Sequence, residues 1–273
     1  MKTKTELQPG QSDELLKALH ILTRDGRLNQ DSRRKLKQVN HLFQFMEPLL
    51  EETLAHNLEF NMVDHGAGKS YLGFLAYELF LKKHQTGHIY SIETRSDLVT
   101  SSKQLANKLA YTRMSFLNLS VEASKQSPKL PESVDIVTAL HACDTATDDA
   151  IRFALIKRSS HILLVPCCQA EVAAALNRNK NQSFGKTPLS EIWRHPIHTR
   201  EFGSHITNVL RCLLLESHGY QVKVTELVGW EHSMKNELII ASRKDASRNN
   251  AQQRLEQIIQ LLNLDELRHR FIY

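Results

Sequence analysis

The chain has 273 residues, 41% hydrophobic and 24% charged, with a formal charge of +5. That length holds one large domain or two small ones with a sizeable core, and no stretch approaches the roughly 18 apolar residues that cross a bilayer. The opening residues, MKTKTELQPGQSDELLK, lack the apolar centre of a secretory signal, so a cytoplasmic protein is expected, with no membrane association and no obligate protein partner.

In chain order, residues 12–24 and 31–57 carry apolar positions at helical spacing, with Ser12 and Asp31 placed as N-caps and an interruption expected near Pro48. From Leu58 the pattern changes to short apolar runs, LEFNMVD, HIYSIE, MSFLNLS, VDIVTAL and HILLVPC, separated by segments of helical period. Strands alternating with helices predict βαβ units and a mostly parallel sheet covered on both faces. A helix over 203–218 follows, then YQVKVTELVGW and NELIIASRK as an antiparallel hairpin at one sheet edge, and a helical tail. The expected organisation is a helical N-terminal extension (1–57), one α/β domain (58–245) and a C-terminal helix (246–273).

The first strand runs into VDHGAGKSYL. A triphosphate loop needs a glycine where Val63 stands, and a dinucleotide fingerprint needs one where Tyr71 stands. What remains is Asp64-x-Gly66-x-Gly68 followed by Lys69 and Ser70: an acid at a strand end and two glycines that let a ligand approach the backbone. This suits a cationic ligand without phosphate, and S-adenosylmethionine is such a ligand. Glu93 ends the next strand 29 residues later, close to one βαβ step, where a carboxylate can accept bonds from both ribose hydroxyls. The plainer alternative is an ordinary strand-to-helix turn with Glu93 capping the following helix. Asn118 and Ser120, ending the third strand, are placed to hydrogen-bond the adenine.

The fourth and fifth strands end in LHACDTATDD and PCCQAEV. Ligands of a parallel sheet bind at that edge, which would gather His141, Cys143, Asp144, Cys167 and Cys168 beside the methyl donor. His141 or Asp144 could take a proton from a hydroxyl or amine. A thiolate could add to a pyrimidine ring and activate its neighbouring carbon. With no C-x₂-C pair, zinc is not expected, and tight packing of small thiols is the plain alternative. None of the four cysteines has a disulfide-framework spacing, and Cys212, inside VLRCLLL, reads as packing. Asp148 and Asp149 read as first-turn helix acids.

Residues 177–200 hold Arg178, Lys180, Lys186, Arg194 and Arg200 against one acid, Glu191, with Phe184 and Trp193 interleaved and His195 and His198 adjacent. Cations that follow a phosphate backbone and flat rings that stack on bases are what looped or single-stranded RNA requires. RNA (tRNA or rRNA) is the expected substrate, with a solvated loop anchored by Trp193 as the alternative.

DHGAGKSYL, LHACDTATD, PCC and HSMKNELIIAS together resemble the methyltransferase-domain proteins that include the methyltransferase-like 25 group, and are similar to eukaryotic acceptor-stem tRNA 2′-O-methyltransferases. The resemblance covers roughly residues 35–243. It implies a Rossmann-like class I methyltransferase fold with a seven-stranded, mostly parallel sheet, and S-adenosylmethionine contacted at Asp64, Gly66, Gly68, Glu93, His141 and Ala142. The chain departs from the pattern at Asp144, where the family has glycine, and at Gln169 and Ala170, where the tRNA enzymes have histidines.

Overall fold

The computed structural model describes residues 11–23, 25–140, 145–166, 169–181, 186–227, 237–244 and 250–273, without the side chains of Asp31, Lys35, Gln38 and Val39. Seven strands form one sheet in the order β3-β2-β1-β4-β5-β7-β6: β1 Asn61–His65, β2 His88–Glu93, β3 Met114–Asn118, β4 Ile136–Leu140, β5 His161–Val165, β6 Tyr220–Glu226 and β7 Glu237–Arg243. The first five are parallel and β7 runs antiparallel to both β5 and β6. The chain moves outward from β1 to β3 and then returns to β4. The edge over β1 and β4 is therefore a switch point, where a doubly wound sheet opens a crevice.

Two helical layers cover the sheet. On one face lie α1 (Asp13–Ala18), α2 (Gln30–His56) and α3 (Tyr71–Ala76), which continues through a π-turn at Tyr77–Leu81. Their Leu15, Phe43, Met46, Leu50 and Phe74 pack under Met62, Ile89, Ile136 and Leu163 of the strands. On the other face α6 (Thr145–Ile156), α7 (Glu171–Arg178), α8 (Pro196–Ser217) and α9 (Ala251–Leu261) pack on Val63, Val137, Ile162, Leu164 and Ile239. The shorter α4 (Ser96–Lys108) and α5 (Val121–Ser124) lie between β2 and β4 in the chain. Strand residues alternate between the layers with period two, as a sheet buried on both sides requires.

Three expectations are corrected here. The second helix starts at Gln30 and is capped by Asn29, whose Oδ1 accepts from the Ser32 N–H at 2.7 Å, instead of by Asp31. It also runs unbroken through Pro48. A proline removes one intrahelical bond, and Phe43, Met46 and Leu50, buried on either side of it, hold the helix on the sheet. Finally, α8 begins at Pro196, seven residues before the expected start, with proline in the first helical position that it favours.

Candidate cofactor site and acceptor rim

β1 delivers Asp64 to the carboxyl edge on the α2–α3 face, level with Ser91 of β2 and Thr138 of β4. Its carboxylate is 2% exposed and accepts a 2.7 Å bond from the Thr138 hydroxyl. Burial, opposed by that bond and reinforced by the negative charge of Glu93, raises its pKa to about 7. Thr138 was missed in sequence, although a polar residue inside VDIVTAL on the face of Asp64 is the signal that marks it.

Glu93 ends β2 on the same face. One carboxylate oxygen accepts from the Gly68 N–H at 2.8 Å, and the other from the Arg95 N–H at 3.0 Å and the Thr94 hydroxyl at 3.2 Å. Burial works against its charge, but the N–H groups of Arg95 and Gly68 and the Arg95 guanidinium outweigh it and hold the carboxyl below its ordinary value. Glu93 thus joins the glycine turn to the Arg95 N–H just ahead of α4, whose own first turn has no side-chain cap.

The turn itself is open. Gly66 and Gly68 have φ of 63° and 56°, and a Cβ placed on Gly68 would meet no atom within 4 Å. Free space over the backbone beside two neighbouring carboxylates is a fit for a ligand with a cationic end. Ser70 is turned inward, its Oγ 2.5 Å from that of Ser91, whereas Lys69 is exposed. Asn118 donates through Nδ2 to the Glu93 and Thr94 carbonyls at 3.0 and 2.7 Å, bracing β3 against β2, and Ser120 caps α5 by accepting from the Ala123 N–H at 3.0 Å. The Ser120 hydroxyl still has a proton to donate; both Nδ2 contacts of Asn118 are already made. His65 points to the opposite face, edge-on to Phe153 at 4.7 Å, and burial, then the charge of Lys125, depress its pKa to about 3.

His141, Ala142, Cys143, Asp144, Cys167 and Cys168 lie outside the described residues, as does Phe184. What is described beside them is a buried polar network. Arg211 of α8, 0% exposed, grips Asp148 in the first turn of α6, with Nε to Oδ1 at 2.6 Å and Nη2 to Oδ2 at 3.0 Å. Its Nη1 donates to Asn208 Oδ1 at 3.3 Å, which also accepts from Gln169 Nε2 at 2.7 Å. Asn208 Nδ2 donates to Glu237 at 2.8 Å, and the Ser204 hydroxyl donates to Gln169 Oε1. Sequence reading gave Asp148 only its helix-dipole role and missed the rest. The one local signal is an arginine inside the apolar run NVLRCLLL. Cys212 is the neighbouring thiol, pushed up to about 12 by burial and then by the charges of Glu237 and Glu216, which disfavours the nucleophilic thiolate.

The basic segment is spread over the end of α7, a 3₁₀ turn at Pro188–Arg194 and the first turns of α8. Arg178 pairs with Glu266 at 2.8 Å, Arg194 with Glu191 at 3.3 Å and Arg200 with Glu201 at 2.9 Å. Lys180 and Lys186 are exposed. Trp193 packs against the core with its ring 5.6 Å from Phe202, so it is the anchor of the segment. Among the described residues of the segment, the exposed rings are His195 and His198, 5.4 Å apart. Gln169 and Glu237 mark the carboxyl edge, and α8 runs on N-terminally from Asn208 for about 18 Å at the helical rise, overhanging that edge.

Comparison with known proteins agrees with this architecture. A family model described as a methyltransferase domain matches residues 34–175, just over half of the chain. Among curated proteins none matches the sequence. The methyltransferase PaMTH1 of Podospora anserina, solved bound to SAH, is similar in fold with a TM-score of 0.50 at 13% identity, over 89% of this chain and 92% of that one. M. capricolum TrmK, in complex with S-adenosyl-homocysteine, gives 0.44 at 11% identity over 77% and 73% of the two chains. An rRNA methylase from Streptococcus thermophilus gives 0.44 at 12% identity over 73% and 94%.

Proposed function

The chain belongs to the methyltransferase-domain family and is an S-adenosylmethionine-dependent methyltransferase; from that premise we propose that its acceptor is RNA, tRNA or rRNA, and that it stands nearest the methyltransferase-like 25 type. The observation that carries the substrate class is the overhanging start of α8, which exposes Arg194, His195, His198 and Arg200 above the carboxyl edge with Lys186 beside them. Exposed ion pairs such as Arg200 with Glu201 contribute little, so a phosphate can displace the acid, and two imidazole rings offer stacking surfaces to splayed bases.

In this reading Asp64 meets the amino group of the cofactor, Glu93 accepts from the ribose hydroxyls, and Gly66 and Gly68 admit the ligand to the backbone. Lys69, Ser70, Asn118, Ser120 and Ala142 border the same pocket. Bound S-adenosylmethionine supplies an electrophilic methyl group. The acceptor approaches over β4 and β5, and most of the acceleration comes from holding the reactants close and aligned. His141 or Asp144 takes the proton released by an oxygen or nitrogen acceptor. For a carbon acceptor, a thiolate from Cys167 or Cys168 adds to the ring and leaves when the ring proton is removed. Arg178, Lys180, Lys186, Arg194, His195 and Arg200 contact the polynucleotide, and Trp193 holds their segment in place.

The test is calorimetry with S-adenosylmethionine, then tritium transfer from the labelled donor into total RNA and total protein of cells lacking the gene. Label in RNA that falls when Arg194 and Arg200 are both changed to Gln supports the proposal. Label in protein or in small molecules instead would refute the RNA assignment. Unchanged turnover in a Cys167→Ser, Cys168→Ser enzyme would eliminate the covalent route.

A further inference from the structure

We infer that Asn208 is a positioning residue for the methyl-acceptor rim, locking the ends of β4, β5 and β7 to one face of α8. The inference rests on the reading above, in which the acceptor enters at that edge. Ser204, Asn208 and Arg211 are spaced four and three residues apart, so they share one stripe of α8. Through Arg211 the stripe holds Asp148, in the first turn after β4. Through Ser204 and Asn208 it holds Gln169, which follows β5, and through Asn208 it also holds Glu237, the first residue of β7. The three elements bounding the acceptor side are thus tied to the helix that carries the exposed cations.

The orientation of the Asn208 amide is dictated by its neighbours. A carboxylate only accepts and a guanidinium only donates, so Nδ2 must face Glu237 and Oδ1 must face Arg211. Gln169 must then present Nε2 to that oxygen, and its own Oε1 is left to accept from Ser204. Every member has one permitted arrangement. Asn208 is 4% exposed, Gln169 5% and Arg211 0%, so the centre of the network is buried while its Ser204 and Glu237 ends are half-buried, and a change at Asn208 reaches its partners on all three sides together.

Two variants test this. Asn208→Leu removes every bond of the amide. Asn208→Asp keeps an acceptor for Gln169 and Arg211 but sets a carboxylate against Glu237, releasing the start of β7 alone. Backbone hydrogen exchange should rise at 145–150, 169–173 and 237–239 together in Asn208→Leu, and at 237–239 alone in Asn208→Asp, while 61–65 and 88–93 keep wild-type protection. Affinity for S-adenosylhomocysteine should stay within about twofold, whereas kcat for methyl transfer to RNA falls by about 100-fold, the scale expected when reacting groups are misplaced by an ångström. Exchange confined to α8, equal loss of cofactor affinity, or unchanged kcat would each overturn the inference. Should the wild-type enzyme label no RNA, the substrate reading fails, and the exchange pattern alone decides whether Asn208 couples the three ends.

Discussion

The two halves of the sheet's carboxyl edge solve the same problem, placing polar groups in a buried rim, by opposite means. On the β1–β2 side the work falls to the backbone: Gly68 and Arg95 donate N–H groups to one carboxylate, and a single threonine hydroxyl reaches the other. On the β4–β5–β7 side it falls to long side chains from a distant helix, with a salt bridge at one end and a carboxylate at the other. The first arrangement is local and leaves open space over the glycine turn. The second is cross-braced and encloses its own polar atoms. In the proposed function the former suits a cofactor pocket of fixed chemistry, whereas the latter would let the acceptor side be rebuilt through a few side chains of one helix.

The contrast can be broken first at Arg211. Arg211→Met breaks the buried Arg211–Asp148 pair, which should cost about 3–5 kcal/mol of stability, read by urea titration. In protein that remains folded, the affinity for S-adenosylhomocysteine should be unchanged. Adding Asp148→Leu should recover much of the loss.

The next effect is at Asp64. Its folded pKa of about 7 lies above the ordinary 3.8, so the folded state binds the extra proton. The stability this contributes is fully present below pH 3.8 and is lost as pH rises through 7, amounting to at most about 4 kcal/mol. Asp64→Asn should therefore match wild type at pH 4 and exceed it at pH 8, and should bind cofactor far more weakly. In wild type, cofactor binding below pH 7 should release a proton, seen as a dependence of calorimetric heat on the ionisation enthalpy of the buffer.

Glu93→Gln comes third. Replacing a charged acceptor should weaken S-adenosylhomocysteine by about 2 kcal/mol, or some 30-fold, with little change in the hydrogen exchange of 145–150. The smallest effect is expected at the exposed Arg178 and Glu266 pair, where Arg178→Ala should shift stability by less than about 1 kcal/mol.

The same contrast explains what the sequence could disclose. Asp64, Gly66, Gly68 and Glu93 sit on strand ends and a turn whose spacing is local, so the glycine pattern and one βαβ step were enough to single them out as candidates that the fold brings to one edge. The seven strands were legible for the same reason, as period-two or continuous apolar runs. Gln169, Asn208, Arg211 and Glu237 meet only after folding, and each alone looks like an ordinary helix or strand polar residue. Trp193 read equally as a ring of the basic surface or as the anchor of its segment, and no local pattern separates the two because its packing partner Phe202 lies in the next element. Pro48 looked like a break because a local rule says so, and burial on both sides of it overrides that rule.

A last consequence comes from Gly203. A Cβ there would sit 2.6 Å from both the Cα and the Cβ of Ala173, so α7 and α8 approach closely enough that no side chain fits at position 203. The two helices on either side of residues 179–195 are consequently held together at this crossing. Lengthening a connection between fixed supports costs little, so insertions next to Lys180, ahead of the Trp193 anchor, should be tolerated without disturbing either helix.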